Sequence, residues 1–206
     1  QFLHLMSYSE FSLARAKQEL IFETVEKTDI FASVPELIGS PLLTDTLRYN
    51  LPIALASNSE KARSELIIAP ILLDLRRQLN DKINLFSGVD FTVDNTKGLN
   101  GICDFIITKS AEMLIVTAPV ITVVEAKKEN INGGFGQCAA EMVAARIFND
   151  RSGTDIKAIY GAVTTGSIWQ FLKLEGQILS IDLSEYYLKD VNKILGILAS
   201  GISQSN

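Results

Sequence analysis

Gly101-Ile102-Cys103-Asp104-Phe105-Ile106-Ile107 and, after a loop, Val120-Ile121-Thr122-Val123-Val124-Glu125-Ala126-Lys127 are two runs of branched and apolar residues, each carrying charge where a structural strand would carry none. Such runs read as β-strands. Side chains alternate along a strand, so Glu125 and Lys127 project from one face while Ala126 points the other way. If the runs pair as a hairpin about a loop over 110–119, a symmetric register sets Asp104 opposite Glu125, roughly 5 Å away between Cα atoms. Two carboxylates that close repel unless a positive group lies between them. A hard divalent cation such as Mg²⁺, which takes oxygen ligands, is the natural partner, and Lys127 would stand beside it.

Outward from this hairpin the pattern stays readable. Residues 85–93 form an earlier strand, and a turn at 94–98 leads into the Asp104 run, so three strands follow one another as an antiparallel meander. Before them, Ser57 and Glu60 read as a capping box opening a helix to about position 79, bent near Pro70, which cannot donate its backbone bond. Its apolar face runs through Ile68, Ala69, Leu72, Leu75 and Leu79, with Glu65 at the head of that face. An acid there is costly without a partner. Either Glu65 pairs with Lys61 one turn back at the surface, or the helix packs on the sheet and aims it at the cation.

After the hairpin, the glycine-rich 130–136 segment lacks the Gly-Lys-Ser/Thr ending of a phosphate-binding loop and reads as a tight turn into a helix over 135–149. Gln137, Glu141, Ala144 and Phe148 share a face of that helix. Gln137, near the helix start, reads as a surface or capping residue, and Glu141 as solvated or standing behind the site. Residues 156–164 form a strand parallel to the Glu125 strand through a right-handed crossover. A further strand follows to Leu174, with Trp169 and Phe171 on one face as core, then a turn at 175–177 and a strand at 178–181.

On Asp104, Glu125-x-Lys127, the acid-bearing helix before them and the Gln-bearing helix after them, the chain resembles the PD-(D/E)xK nuclease superfamily over roughly 59–174. The name-giving proline is absent, since Gly101-Ile102-Cys103 precedes Asp104. The Thr165-Gly166-x-x-Trp169-x-Phe171 run is similar to one that follows the core in restriction-type nuclease domains. The resemblance implies an α/β fold: a restriction endonuclease-like core of order αβββαβ, a mixed central sheet flanked by helices. It also implies a metal-dependent nuclease hydrolysing phosphodiester bonds in nucleic acid, DNA rather than RNA. Asp104, Glu125, the carbonyl of Ala126 and Glu65 would hold Mg²⁺ or Mn²⁺; Lys127 would orient or help deprotonate a water; Gln137 would reach the site. The competing expectation is a catalytically silent fold serving as a nucleic-acid or protein interaction module. A third takes Glu125, Lys127 and Glu129 as a salt-bridged strand end with no site.

At 206 residues, 47% hydrophobic and 21% charged, the chain can bury one sizeable core. No apolar run approaches the ~18 residues of a membrane span, and residues 1–6 lack a signal peptide's basic start, so the expectation is a soluble, cytoplasmic protein. Cys103, Cys138 and the single histidine, His4, exclude a disulfide framework and a zinc site of the Cys/His type. The net charge of −5 argues against a globally basic nucleic-acid surface, although Arg76-Arg77, Lys127-Lys128 and Arg146/Arg151 can form a local stripe. A homodimer is compatible with all of this.

At the N-terminus, Ser7 and Glu10 read as a capping box opening a helix to about position 28. Pro35, Gly39, Pro41 and Pro52 punctuate 29–58 into short helical turns packed on the body. Residues 1–58 are thus expected as a helical extension on a domain spanning 59–206. A last helix at 184–199 and a frayed tail at 203–206 close the chain.

Overall fold

The computed structural model describes residues 6–203. His4 and residues 204–206 lie outside them. The capping box forms, with the Ser7 amide donating to Glu10 Oε2 at 2.8 Å, but it heads only a 3₁₀ turn, Tyr8–Glu10. Helix α1 is Leu13–Leu20, capped by Ser12, whose hydroxyl accepts from the Arg15 amide at 3.2 Å. The expected helix to position 28 therefore stops early. Ile21 turns left-handed (φ 54°), and Glu23–Lys27, with β-branched Thr24 and Val25, becomes strand β1. An available sheet edge overrides the helical spacing.

Residues 41–57 likewise form one helix, α2 (Pro41–Ser57), rather than short turns. Pro41 sits in its first turn, where its missing N–H costs nothing, and Ser40 caps it by accepting from the Leu43 amide while its hydroxyl donates to Asp74. Ser57 ends α2, and the next helix is capped by Ser59 instead, accepting from Ala62 at 3.0 Å. That helix runs as α3 (Glu60–Arg63), a π turn (Ser64–Ile68) and α4 (Ala69–Gln78). The expected irregularity near Pro70 takes the form of the π turn. Pro70 cannot donate to the Leu66 carbonyl, and Asn50 Nδ2 from α2 donates to it at 2.9 Å.

The meander follows as β2 (Asn84–Asp90), β3 (Ile102–Thr108) and β4 (Val120–Ala126), all antiparallel. Helix α5 (Phe135–Arg151) crosses to β5 (Ile159–Thr164), which lies parallel to β4. Then come β6 (Ile168–Glu175), β7 (Ile178–Asp182), the short β8 (Tyr186–Tyr187) and α6 (Val191–Ser203), which starts later than the sequence predicts because residues 186–190 pair with β6 and form a 3₁₀ turn. The mixed sheet has the order β1-β7-β6-β5-β4-β3-β2, with β8 on β6. β1 pairs parallel to β7, so residues 1–58 are not a purely helical extension but supply one edge of the sheet.

Two apolar layers enclose the sheet. Helices α1 and α5 cover one face through residues such as Ala16, Leu20, Phe135, Ala139 and Met142. Helices α2, α4 and α6 cover the other through Leu43, Ile71, Leu72, Leu75, Ile194 and Leu198, where Trp169 and Phe171 are buried as core. Among the described residues no helix is long and apolar enough to cross a membrane.

Candidate active site

Helix α5 is pinned to the sheet at one end and packed on the segment before α1 at the other. Near its C-terminus the buried Asn149 side chain accepts from the Val120 amide at 2.8 Å and donates to the Val120 carbonyl at 2.7 Å, clamping it to the start of β4. At its N-terminus a Cβ on Gly136 would collide with the backbone of Phe11 and Ser12, so glycine permits the close approach there. The first turns of α5 are thereby held over the C-terminal ends of β4 and β5.

In the β3–β4 hairpin Phe105 pairs with Val124, Ile106 with Val123 and Ile107 with Thr122. One further step sets Asp104 opposite Glu125, as the symmetric hairpin predicts. The regular ladder ends before that step: Asp104 Oδ2 itself accepts from the Ala126 amide at 2.8 Å. The carboxylate thus takes a backbone donor that a further rung would have used.

Glu125 Oε1 lies 2.6 Å from Lys127 Nζ, so the strand parity that places them on one face holds. Lys127 also donates to Gln137 Oε1 at 3.2 Å, and Gln137 Nε2 donates to Glu141 Oε1 at 3.2 Å. The Lys127 amide donates to the Thr164 carbonyl of β5 at 2.8 Å, tying the strand end down. Glu125 and Glu141 are buried against each other, carboxyl to carboxyl. Lys127 remains 25% exposed, and Asp104 and Gln137 are half-buried as well.

The electrostatics follow from that burial. Burial first, and then the Asp104 carboxylate, push the Glu125 carboxyl up to about 8, only partly offset by Lys127. Burial also raises Asp104, against the Ala126 amide and Lys127, which favour its charge. Glu141 is raised by burial and then by Glu125. For Lys127 burial works downward, but Glu125 beside it prevails and holds the ammonium above its ordinary value. Three acids therefore share one cation, and the pocket calls for further positive charge or for protons.

Four sequence-predicted residues meet here: Asp104, Glu125, Lys127 and Gln137. Glu65 does not join them. It is paired with Lys61 at 3.0 Å on the surface, with 60% of its side chain exposed. Its helix belongs to the opposite apolar layer, through Ile67, Ile68, Ile71 and Leu72, and the π turn advances the helical phase by one residue just where Glu65 sits. The reading of Glu65 as an acid aimed at the cation is corrected accordingly; the surface alternative is the one observed. On that helix it is Glu60, at its exposed head, whose charge acts on Lys127.

Glu141 is the residue that sequence reasoning underrated. Of the two readings the solvated one is overturned and the other is observed: it stands behind the site, fully buried against Glu125 and Gln137. The signal was present: Cys138-Ala139-Ala140-Glu141-Met142-Val143-Ala144-Ala145 is apolar on every side of the helix, which marks a buried segment in which an acid must find a partner.

The donors that converge, two carboxylates with the Ala126 carbonyl adjoining, are all oxygen and carry surplus negative charge, which fits Mg²⁺ or Mn²⁺. Among the described residues, no three His, Cys, Asp or Glu side chains stand in a ready metal-holding arrangement. Any ion would thus complete its shell from water or substrate, as Mg²⁺ sites commonly do. Comparison with known proteins finds no matching family model, no matching curated protein and no matching solved structure.

Proposed function

We propose that this chain is a metal-dependent nuclease of the PD-(D/E)xK type, hydrolysing phosphodiester bonds in nucleic acid, with DNA as the substrate to try first. In this reading α3–α4, β2, β3, β4, α5 and β5 are a restriction endonuclease-like core. The observation that carries it is the cluster of Asp104, Glu125 and Lys127 where the β3–β4 ladder ends.

Asp104, Glu125 and the Ala126 carbonyl would hold the cation. Bound there, Mg²⁺ or Mn²⁺ would supply Lewis acidity toward a phosphate oxygen and a water of lowered pKa. The chain's own residues do the rest. Lys127, kept protonated by Glu125, presents an ammonium where negative charge develops on the phosphoryl oxygens, a role in orientation and charge stabilisation rather than proton abstraction. Gln137 restrains that ammonium through its oxygen.

Supercoiled plasmid and labelled single- and double-stranded oligonucleotides, incubated with Mn²⁺ or Mg²⁺, test the proposal. Cleavage by the wild type and its loss in Asp104→Asn and Lys127→Met are expected. Equal cleavage by wild type and Asp104→Asn would overturn it. The net charge of −5, and the absence among the described residues of three His, Cys, Asp or Glu side chains grouped to hold a metal, favour a second reading, a noncatalytic interaction module. Nucleic-acid binding without cleavage in either metal would select it.

A further inference from the structure

Gly134, Gln137 and Glu141 recur at a spacing of three and four residues and form one stripe at the start of α5. All three shape the surroundings of Lys127. A Cβ on Gly134 would come within 3.1 Å of Lys127 Cε and 2.6 Å of Val163 Cγ1, so only glycine there leaves room for the lysine stem. Gln137 then meets the ammonium through its oxygen and the Glu141 carboxylate through its nitrogen.

An amide has one donor end and one acceptor end, so this orientation satisfies both neighbours. Turned over, it would set NH₂ against an ammonium and oxygen against a carboxylate. Glu141 has no exposed surface and cannot swing aside into solvent. Its Oε1, which accepts from Gln137 Nε2, therefore holds the amide in this orientation.

We propose that Glu141 is a positioning residue for Lys127, acting through the Gln137 amide. The inference rests on reading the pocket as a phosphodiesterase site in which Lys127 is the working cation. Glu141 is not a direct partner of Lys127; the proposed link runs from Glu141 Oε1 to Gln137 and on to Lys127 Nζ, beside the contact that Glu141 also makes with Glu125, and Gln137→Leu breaks the first link while leaving the second in place. Glutamine at position 141 would retain an acceptor for the Gln137 NH₂. Methionine, of similar volume, would not.

The test compares wild type, Glu141→Gln, Glu141→Met and Gln137→Leu. The first readout needs neither metal nor substrate: the rate at which acetic anhydride acylates Lys127 in cation-free protein, taken by peptide mass spectrometry relative to Lys61, which is 83% exposed. Loss of the charge-assisted hold should raise Lys127 labelling about fivefold or more in Glu141→Met and Gln137→Leu, and leave Glu141→Gln within about twofold of wild type. The second readout is Mn²⁺-dependent cleavage, with kcat falling about tenfold in Glu141→Met at little change in KM and returning in Glu141→Gln.

Unchanged Lys127 labelling in Glu141→Met, or equal labelling in Glu141→Met and Glu141→Gln, would overturn the positioning role. Should Glu141→Met fail to fold, Gln137→Leu, at a half-buried position, tests the same link. If labelling responds as expected while the wild type cleaves no nucleic acid, the positioning role stands and the phosphodiesterase reading falls.

Discussion

Glu141 and Glu65 look alike in the sequence: each is a glutamate on a helix, one turn after a polar partner, Gln137 for the first and Lys61 for the second. In the fold they share nothing. Glu141 is fully buried on the α5 face, against Gln137 and Glu125, whereas Glu65 is exposed in an ion pair on the opposite layer. Spacing set the local partner in both cases. The lesson is that helical spacing chooses a neighbour, while the layer to which the helix belongs decides whether the pair can do anything.

The same contrast divides the two faces of the sheet. The α5 face places Asp104, Glu125, Glu141 and Lys127 together, whereas the face under α2, α4 and α6 is filled by Ile67, Ile71, Leu72, Leu75, Trp169 and Phe171. One face concentrates charge at some cost in stability, and the other supplies apolar burial that offsets it.

Breaking the chemical face should give the largest effect. Asp104→Asn is expected to lower metal-dependent cleavage at least about a hundredfold, measured on plasmid DNA, with no loss of melting temperature in EDTA. On the apolar face, Trp169→Ala should destabilise the fold by about 3–5 kcal/mol in urea or thermal unfolding, because it empties a fully buried volume and strands the Gly166 carbonyl that its indole serves.

A third test uses pH. Glu125 at about 8 and the raised Asp104 and Glu141 bind more protons in the native state than in the unfolded chain. Their stabilisation is complete below the ordinary carboxylate range and is lost as pH rises through the native values. Without divalent cation the melting temperature should therefore fall between about pH 5 and pH 8, and Glu125→Gln should flatten the slope. Added Mn²⁺ should restore stability most at the upper end of that window, where the carboxylates are free of protons.

The smallest effect sharpens the opening contrast. Glu65→Gln should change unfolding free energy by no more than about 0.5 kcal/mol and leave cleavage untouched, since its ion pair with Lys61 is solvated. A large loss of cleavage in that variant would return Glu65 to the pocket.

Much of this was legible in the residues. Strand parity put Glu125 and Lys127 together, the symmetric hairpin brought Asp104 to the end of the ladder beside Glu125, and the alternation at Trp169 and Phe171 marked core; each depends on periods of two or on a single turn, which are properties of neighbouring residues. Three features were out of reach of that reasoning. Glu23–Lys27 became a strand because β7 offered it an unpaired edge, the ladder opened at Asp104 because its carboxylate captured the Ala126 amide, and Glu141 rather than Glu65 reached the charged pocket because α5 and α4 lie on opposite faces. Short-range periodicity belongs to the chain itself, but which edge is free, which donor is left over and which side a helix covers are settled only once segments far apart in sequence have packed against one another.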